Sequence, residues 1–269
     1  VKKREKALKS ELQRQLDTTF PIPNNEEPIL VVGRRWNSWY PSVFPCAGGA
    51  YVIIGPKASN STNIVEECAH PCTIVDPGFK SLTEIRKLGI NIAMIENAII
   101  SHNHPDHIGG IFEFMATRHA LGKKTRVFCN KSVSEMLGNC SGFNLQVKEL
   151  TNAYNDSWPT YCTEKGFIGL RVKAFDTYHE EIGKYNDSKA LHFNILKGDE
   201  LNKMRDSAEL IILGDTEYDR VEHRNTLIPL LCHHNIKTVV LHIGCTQFKQ
   251  VTGKHLYLTG IRKILRDMD

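Results

Sequence analysis

The sequence predicts an α/β (α+β) domain, and three observations predict it. Short runs dense in Ile, Val and Leu recur along the chain and have the length of buried strands. Segments with apolar residues at helical spacing fall between and after them. With 269 residues, the chain is long enough to bury a large core within one domain.

The elements follow in order. Residues 2–16 place leucines at 8, 12 and 16 among Lys, Arg and Glu, the spacing of a basic helix. It reads as a solvated helix packing one stripe on the domain, or as a linker helix from an upstream module or a contact to a partner. Residues 1–20 are therefore a leading helix or linker, and 21–269 the domain, with Pro21 and Pro23 between them. Residues 29–32 read as a buried strand, and 48–55 as another with glycines at its ends. The polar stretch 56–71 is a loop. Cys68, His70 and Cys72 suggest a metal clip, but no second Cys/His pair stands at finger-like spacing, and a hairpin loop is the plainer reading. Residues 81–88 read as a short helix capped by Ser81, with Glu84 at its third position. Next come a buried strand at 97–101, a helix at 111–121, a strand at 125–129 and a helix at 132–137. Strands are expected at 167–175, 191–196 and 210–213, a helix at 225–234, a buried β-branched strand at 238–242 and a last helix at 259–266.

Composition narrows the function classes. The 34 basic and 30 acidic residues leave a net charge of +4, too mild to argue for nucleic acid by itself. No apolar run reaches the roughly 18 residues that span a bilayer. No charged start followed by an apolar stretch suggests a signal peptide, so a cytoplasmic location is expected, with no membrane partner. The eight cysteines then read as thiols. The first residue is Val, which fits a processed chain or one fused to another domain; a homo-oligomer is the other expectation.

Residues 101–110 read Ser-His-Asn-His-Pro-Asp-His-Ile-Gly-Gly. His102, His104, Asp106 and His107 put four strong ligand types within six residues. His102 and His104 are two apart, so in an extended segment they point the same way. Asp106 and His107 follow the turn at Pro105. One loop can thus offer two imidazoles to one metal, and a carboxylate with an imidazole to a second. That nitrogen and oxygen mixture suits Zn²⁺.

The motif resembles the His-x-His-x-Asp-His signature of the metallo-β-lactamase superfamily. Further stretches resemble that family's other motifs in the right order: the strand ending at Asp76, then Thr177-Tyr-His179, Gly214-Asp215-Thr216 and Gly253-Lys-His255. The resemblance implies a four-layer αββα metallo-β-lactamase sandwich. It implies two Zn²⁺ ions, replaceable by Mn²⁺ or Fe, held by His102, His104, Asp106, His107, His179, Asp215 and His255. Asp215 would bridge the ions, and Asp76 would support the loop from outside the ligand set. A bridging water, its pKa lowered from about 15.7 to about 7, would be the attacking hydroxide, with Asp106 hydrogen-bonded to it.

In motif style the chain is most similar to the RNase Z-like phosphodiesterase branch, which carries two late histidines and a Gly-Asp-Thr. That likeness gives His255 to metal and makes His242 the proton donor to the leaving oxygen. Ile243 stands where the branch has a glutamate, and a core histidine is the competing reading of His242. Only 35 residues separate His179 from Asp215, which leaves no room there for a tRNA-binding arm. The expected function is a dinuclear metal-dependent phosphodiesterase or nuclease acting on a phosphodiester, nucleotide or nucleic acid. The alternatives are a carboxylic ester, thioester or lactone hydrolase of the same fold, and a sensing or interaction module of a larger protein.

Overall fold

The computed structural model describes residues 6, 7, 10, 27–34, 49–58, 70–140, 142–163, 166–177, 179, 188–198, 205–216, 221–233, 236–245 and 256–268. By its internal packing the chain divides into two compact units. One comprises Val1–Ile100, His104–Cys129 and Ser134–Lys148; the other comprises Ser101–Asn103, Asn130–Val133 and Glu149–Asp269. The leading helix expected at 2–16 lies almost entirely outside the described residues; Lys6, Ala7 and Ser10 are helical and exposed.

The first unit holds the strands β1 (Ile29–Arg34), β2 (Ala50–Ile54), β3 (Cys72–Val75), β4 (Ile95–Ile100), β5 (Thr125–Cys129) and β6 (Leu145–Glu149). They form one sheet in sequence order. β1, β2 and β3 run antiparallel, whereas β3, β4 and β5 run parallel. Parallel neighbours need a crossover, and helices occupy both: Ser81–Lys87 between β3 and β4, then Pro105–Ile108 and Ile111–Ala120 between β4 and β5. β2 and β3 are buried along their whole length, Thr73 of β3 included. Ile85 of the first helix fills the space over Gly33, where a Cβ would come within 3.1 Å of it. Arg118 ties the third helix to the sheet: its guanidinium, 4% exposed, donates to the carbonyls of Ala93, Ile95 and Lys124.

The second unit holds β7 (Asn155–Thr163), β8 (Gly166–Asp176), β9 (Lys189–Gly198), β10 (Arg205–Ile212) and β11 (Ile236–Val240), in the order β11-β10-β9-β8-β7. All neighbours are antiparallel except β10 and β11, which the helix Val221–Leu231 joins as a crossover. β12 (Ile243–Cys245) and β13 (Leu256–Tyr257) pair in parallel, and the helix Leu258–Met268 follows. Leu227, Leu230 and Leu231 of one helix and Ile264 of the other share a core with Ala190, Ile211, Leu213 and Leu256.

Several expectations are corrected. Residues 29–32 form a strand, but it lies at the sheet edge, is only partly buried and leaves Val32 58% exposed. β11 is likewise an edge strand with Thr238 exposed, so its β-branched run is not a buried one. Ser81 is not a cap. Lys80 holds the N-cap position at φ 58°, and Ser81 is the first helical residue and buried. The expected helix at 225–234 starts earlier and spans Val221–Leu231. β6 and β7 were not expected. β7 carries Pro159, tolerated because β7 is an edge strand with irregular register on both sides of Trp158. Among the described residues, no helix is long and apolar enough to cross a membrane.

Candidate metal centre

In the first unit, the site residues gather at the C-terminal ends of β3 and β4, where parallel sheets place ligands. Asp76 follows β3, fully buried, with its N–H donating to Ile99 O at 2.8 Å. Its φ of 48° is unusual for a residue with a side chain. That conformation turns the chain into Pro77-Gly78. A Cβ on Gly78 would lie 1.7 Å from the Asp106 carbonyl oxygen, so glycine alone lets the ligand loop pack here. Gly110 N–H donates to Pro77 O at 2.7 Å and anchors the far end of that loop.

The loop itself is a short helix, Pro105–Ile108, with His104 at its N-cap in extended conformation. Proline is suited to the first helical position because it lacks an N–H that would go unbonded there. The His104 carbonyl accepts from the N–H groups of His107 and Ile108 at 2.8 and 2.9 Å. His104, Asp106 and His107 are all buried. His107 Nδ1 donates to Asp76 Oδ2 at 3.0 Å, which leaves Nε2 as the lone-pair nitrogen, 3.5 Å from Asp106 Oδ2. Asp76 thus orients the His107 ring.

In the second unit, Ser101–Asn103, His179 and the end of β10 converge. The Lys189 N–H donates to Ser101 O at 3.1 Å. Gly214, at φ 62°, precedes Asp215; a Cβ there would stand 3.1 Å from Lys189 O and 3.5 Å from Ser101. Leu213 N–H donates to Val240 O at 3.0 Å and fixes the strand end that presents Asp215. His102, His179, Asp215 and His242 are buried. His102 Nε2 and His179 Nε2 each lie 3.7 Å from the same oxygen, Asp215 Oδ2. Their rings meet edge-on with centroids 4.9 Å apart. His242 Nδ1 lies 3.3 Å from Asp215 Oδ1, and Ser101 Oγ lies 2.9 Å from His102 Nδ1.

These distances fit a cation. A separation of 3.7 Å exceeds the usual hydrogen-bond range of about 2.7–3.2 Å. Ligands about 2.0–2.1 Å from a tetrahedral Zn²⁺ stand roughly 3.3 Å from one another, close to what this trio presents. Two imidazoles and a carboxylate, buried together, are also the donor chemistry that Zn²⁺, Mn²⁺ or Fe takes.

The sequence residues therefore fall as follows. Asp76, Asp106 and His107 are in contact, with His104 at the head of their helix. His102, His179 and Asp215 come together, and His242 joins them through Asp215. His255 lies outside the described residues, as does Cys68 of the suggested clip. His70 instead donates from Nδ1 to Gly55 O at 2.9 Å, and Cys72 is buried in β3. Ser101 was not anticipated as a site residue, although it stands directly before His102.

Solved structures share this arrangement of elements. The metallo-β-lactamase fold protein YhfI from Bacillus subtilis matches with a TM-score of 0.59 at 12% identity, over 90% of this chain and 82% of that one. The short form of human tRNase Z matches with a TM-score of 0.57 at 14% identity, over 90% and 88%. Unliganded PDE1 from yeast matches with a TM-score of 0.51 at 14% identity, over 82% and 78%. At such identities the likeness establishes the fold, and the chain has the α/β metallo-β-lactamase fold that its motif order implied. No curated protein matches the sequence. The family model described as the anti-Pycsar protein Apyc1 matches residues 47–220, more than half of the chain. On that match the chain belongs to the family of the anti-Pycsar protein Apyc1.

Proposed function

We propose that this chain is a dinuclear metal-dependent phosphodiesterase acting on a nucleotide or nucleic-acid phosphodiester. The observation that carries the reading is the pair of buried imidazole nitrogens, on His102 and His179, equidistant at 3.7 Å from one Asp215 oxygen. The proposed ligands are His102, His104, Asp106, His107, His179, Asp215 and His255. The likeness to tRNase Z and PDE1, and the Gly214-Asp215-Thr216 sequence, favour a phosphodiester over a carboxylic ester. β9 and β10 occupy most of the interval from His179 to Asp215, which favours a small substrate over a folded RNA held by an inserted arm.

Two bound divalent cations would supply an activated water and neutralise charge developing on a phosphoryl oxygen. The chain's own groups do the rest. Asp76 holds His107 in the tautomer that keeps Nε2 available. Asp106, 3.5 Å from His107 Nε2, would accept a hydrogen bond from that activated water and hold it in place. Asp215 accepts from His242 Nδ1, and His242 as the imidazolium would give its Nε2 proton to the leaving oxygen.

A panel of bis-p-nitrophenyl phosphate, a nucleoside cyclic phosphate, a lactone and a thioester tests the substrate class on metal-loaded protein. The reading expects turnover of the two phosphodiesters; turnover of only the lactone or thioester would overturn it. His242→Ala should slow the cyclic phosphate by about 10²–10⁴-fold and bis-p-nitrophenyl phosphate far less, since p-nitrophenolate hardly needs an acid. Metal content should hold in His242→Ala and drop in His255→Ala. A drop in His242→Ala instead would make His242 the ligand.

A further inference from the structure

The second unit also holds a buried carboxylate that the proposed chemistry does not use. Glu209 lies on β10 and is 3% exposed. Its Oε2 is 2.9 Å from His192 Nε2 of β9 and 2.9 Å from His233 Nδ1. Asn194 of β9 donates to its other oxygen, Oε1, at 3.3 Å, and Arg171 of β8 donates to Asn194 Oδ1 at 3.4 Å. His192 and Asn194 are themselves buried, so β9 holds the carboxylate in place. The His233 side chain is 44% exposed and belongs to the chain that enters β11. Its N–H donates to Leu230 O of the preceding helix at 3.3 Å. Its carbonyl accepts from the N–H of Ile236, the first residue of β11, at 3.1 Å. Glu209 therefore grips the chain at the start of β11.

β11 needs such a grip. It is an edge strand, and its residues do not alternate between buried and exposed, so burial specifies its register weakly. Its pairing with β10 already carries one irregularity: Glu209 stands opposite Ile236, whereas Leu210 stands opposite Thr238. That step falls at the residue that contacts His233. At the far end, Val240 O accepts from Leu213 N–H at 3.0 Å. Two residues beyond that bond, the two segments present Asp215 and His242, whose Oδ1 and Nδ1 are 3.3 Å apart. A slip of one residue would move His242 by about 3.3 Å and turn its side chain to the opposite face.

We propose that Glu209 is a positioning residue: through His233 it fixes the register of β11 on β10, and with it the placement of His242 against Asp215. Setting register is the best-attested use of a buried polar contact of this kind. Its effect on turnover rests on the reading of His242 as the proton donor; the register does not.

His233→Ala tests the grip by removing a half-exposed ring rather than a core side chain. Amide exchange at Leu213 and the ring signals of His242, both read by NMR, report the far end of the strand. In His233→Ala, Leu213 N–H should exchange about 10-fold faster, as the loss of one polar contact allows, and the His242 signals should move. Glu209→Gln should change both in the same direction. His233→Asn, whose amide can stand where Nδ1 stands, should restore them. Turnover of a nucleoside cyclic phosphate should fall about 10-fold in His233→Ala, with bis-p-nitrophenyl phosphate turnover and bound metal unchanged. Unchanged Leu213 exchange and His242 signals in either His233→Ala or Glu209→Gln overturn the proposal. So does an equal loss on both phosphodiesters that His233→Asn fails to restore. If exchange and signals shift and asparagine restores them, but His242→Ala itself spares the cyclic phosphate, the proton-donor reading fails and the role of Glu209 stands.

Discussion

Asp76 shows how much one residue can set. Its φ of 48° and its 3.0 Å contact with His107 are one feature: the unusual backbone turns the carboxylate toward the imidazole. Asp76→Ala should lower Zn²⁺ affinity by about 10–100-fold, read by chelator competition; retention equal to the unmodified protein would count against it. Gly78 matters at the same place for the opposite reason, the absence of an atom. Gly78→Ala puts a Cβ 1.7 Å from the Asp106 carbonyl oxygen, and the loop must move. It should cost about 3 kcal/mol, the upper range of overpacking, as a lowered urea midpoint. Gly138 is the control, since nothing lies within 4 Å of a Cβ there. Gly138→Ala should be neutral or stabilise by about 0.5 kcal/mol. Equal effects at the two glycines would contradict the packing described. At this scale the sequence was most legible. The spacing of His102, His104, Asp106 and His107 suggests a metal loop, and the resemblance together with its strand-end position points to Asp76. Ser101 was not legible, because a serine before a histidine carries no signal until the 2.9 Å contact is seen.

At the scale of elements, β9 and β10 carry a second buried polar group. His192 Nε2 lies 2.9 Å from Glu209 Oε2, and His233 Nδ1 lies 2.9 Å from the same oxygen. Asn194 donates to the other oxygen, Oε1, at 3.3 Å. Burial pushes the His192 imidazole below its ordinary value of 6.5, and this outweighs the opposing pull of the Glu209 carboxylate. The folded state therefore binds the His192 proton less readily than the unfolded chain does. Its contribution should be constant above about pH 6.5 and should turn against folding as the pH falls below that value. Urea midpoints at pH 7.5 and 5.5 should differ more for the unmodified protein than for His192→Gln; identical differences would refute the burial argument. The interior strands were legible, β2 and β4 from their apolar runs and β8 from its alternation. The burial of β1 and β11 was not. A strand's place at a sheet edge depends on which strand pairs with it, and an apolar run does not encode that. β7 escaped notice because its sequence is mostly polar and contains Pro159, which only an edge strand accommodates.

For the whole molecule, the motif order carried the fold, and the match over residues 47–220 carried the family. The substrate was not legible in the same way, because one fold hosts many reactions and the ligand set is common to them. Metal binding should also be visible as stability. A ligand that binds only the folded chain at about 100 times its Kd adds about 2.7 kcal/mol, so Zn²⁺ should raise the melting temperature and a chelator should reverse the rise. The most direct measurement strips the protein with chelator, restores Zn²⁺ stepwise and follows hydrolysis of a nucleoside cyclic phosphate alongside bound metal. The account predicts no turnover in the stripped protein and a rise to a plateau as bound metal reaches two per chain. Full turnover in the metal-free protein, or none at two bound ions, would contradict it.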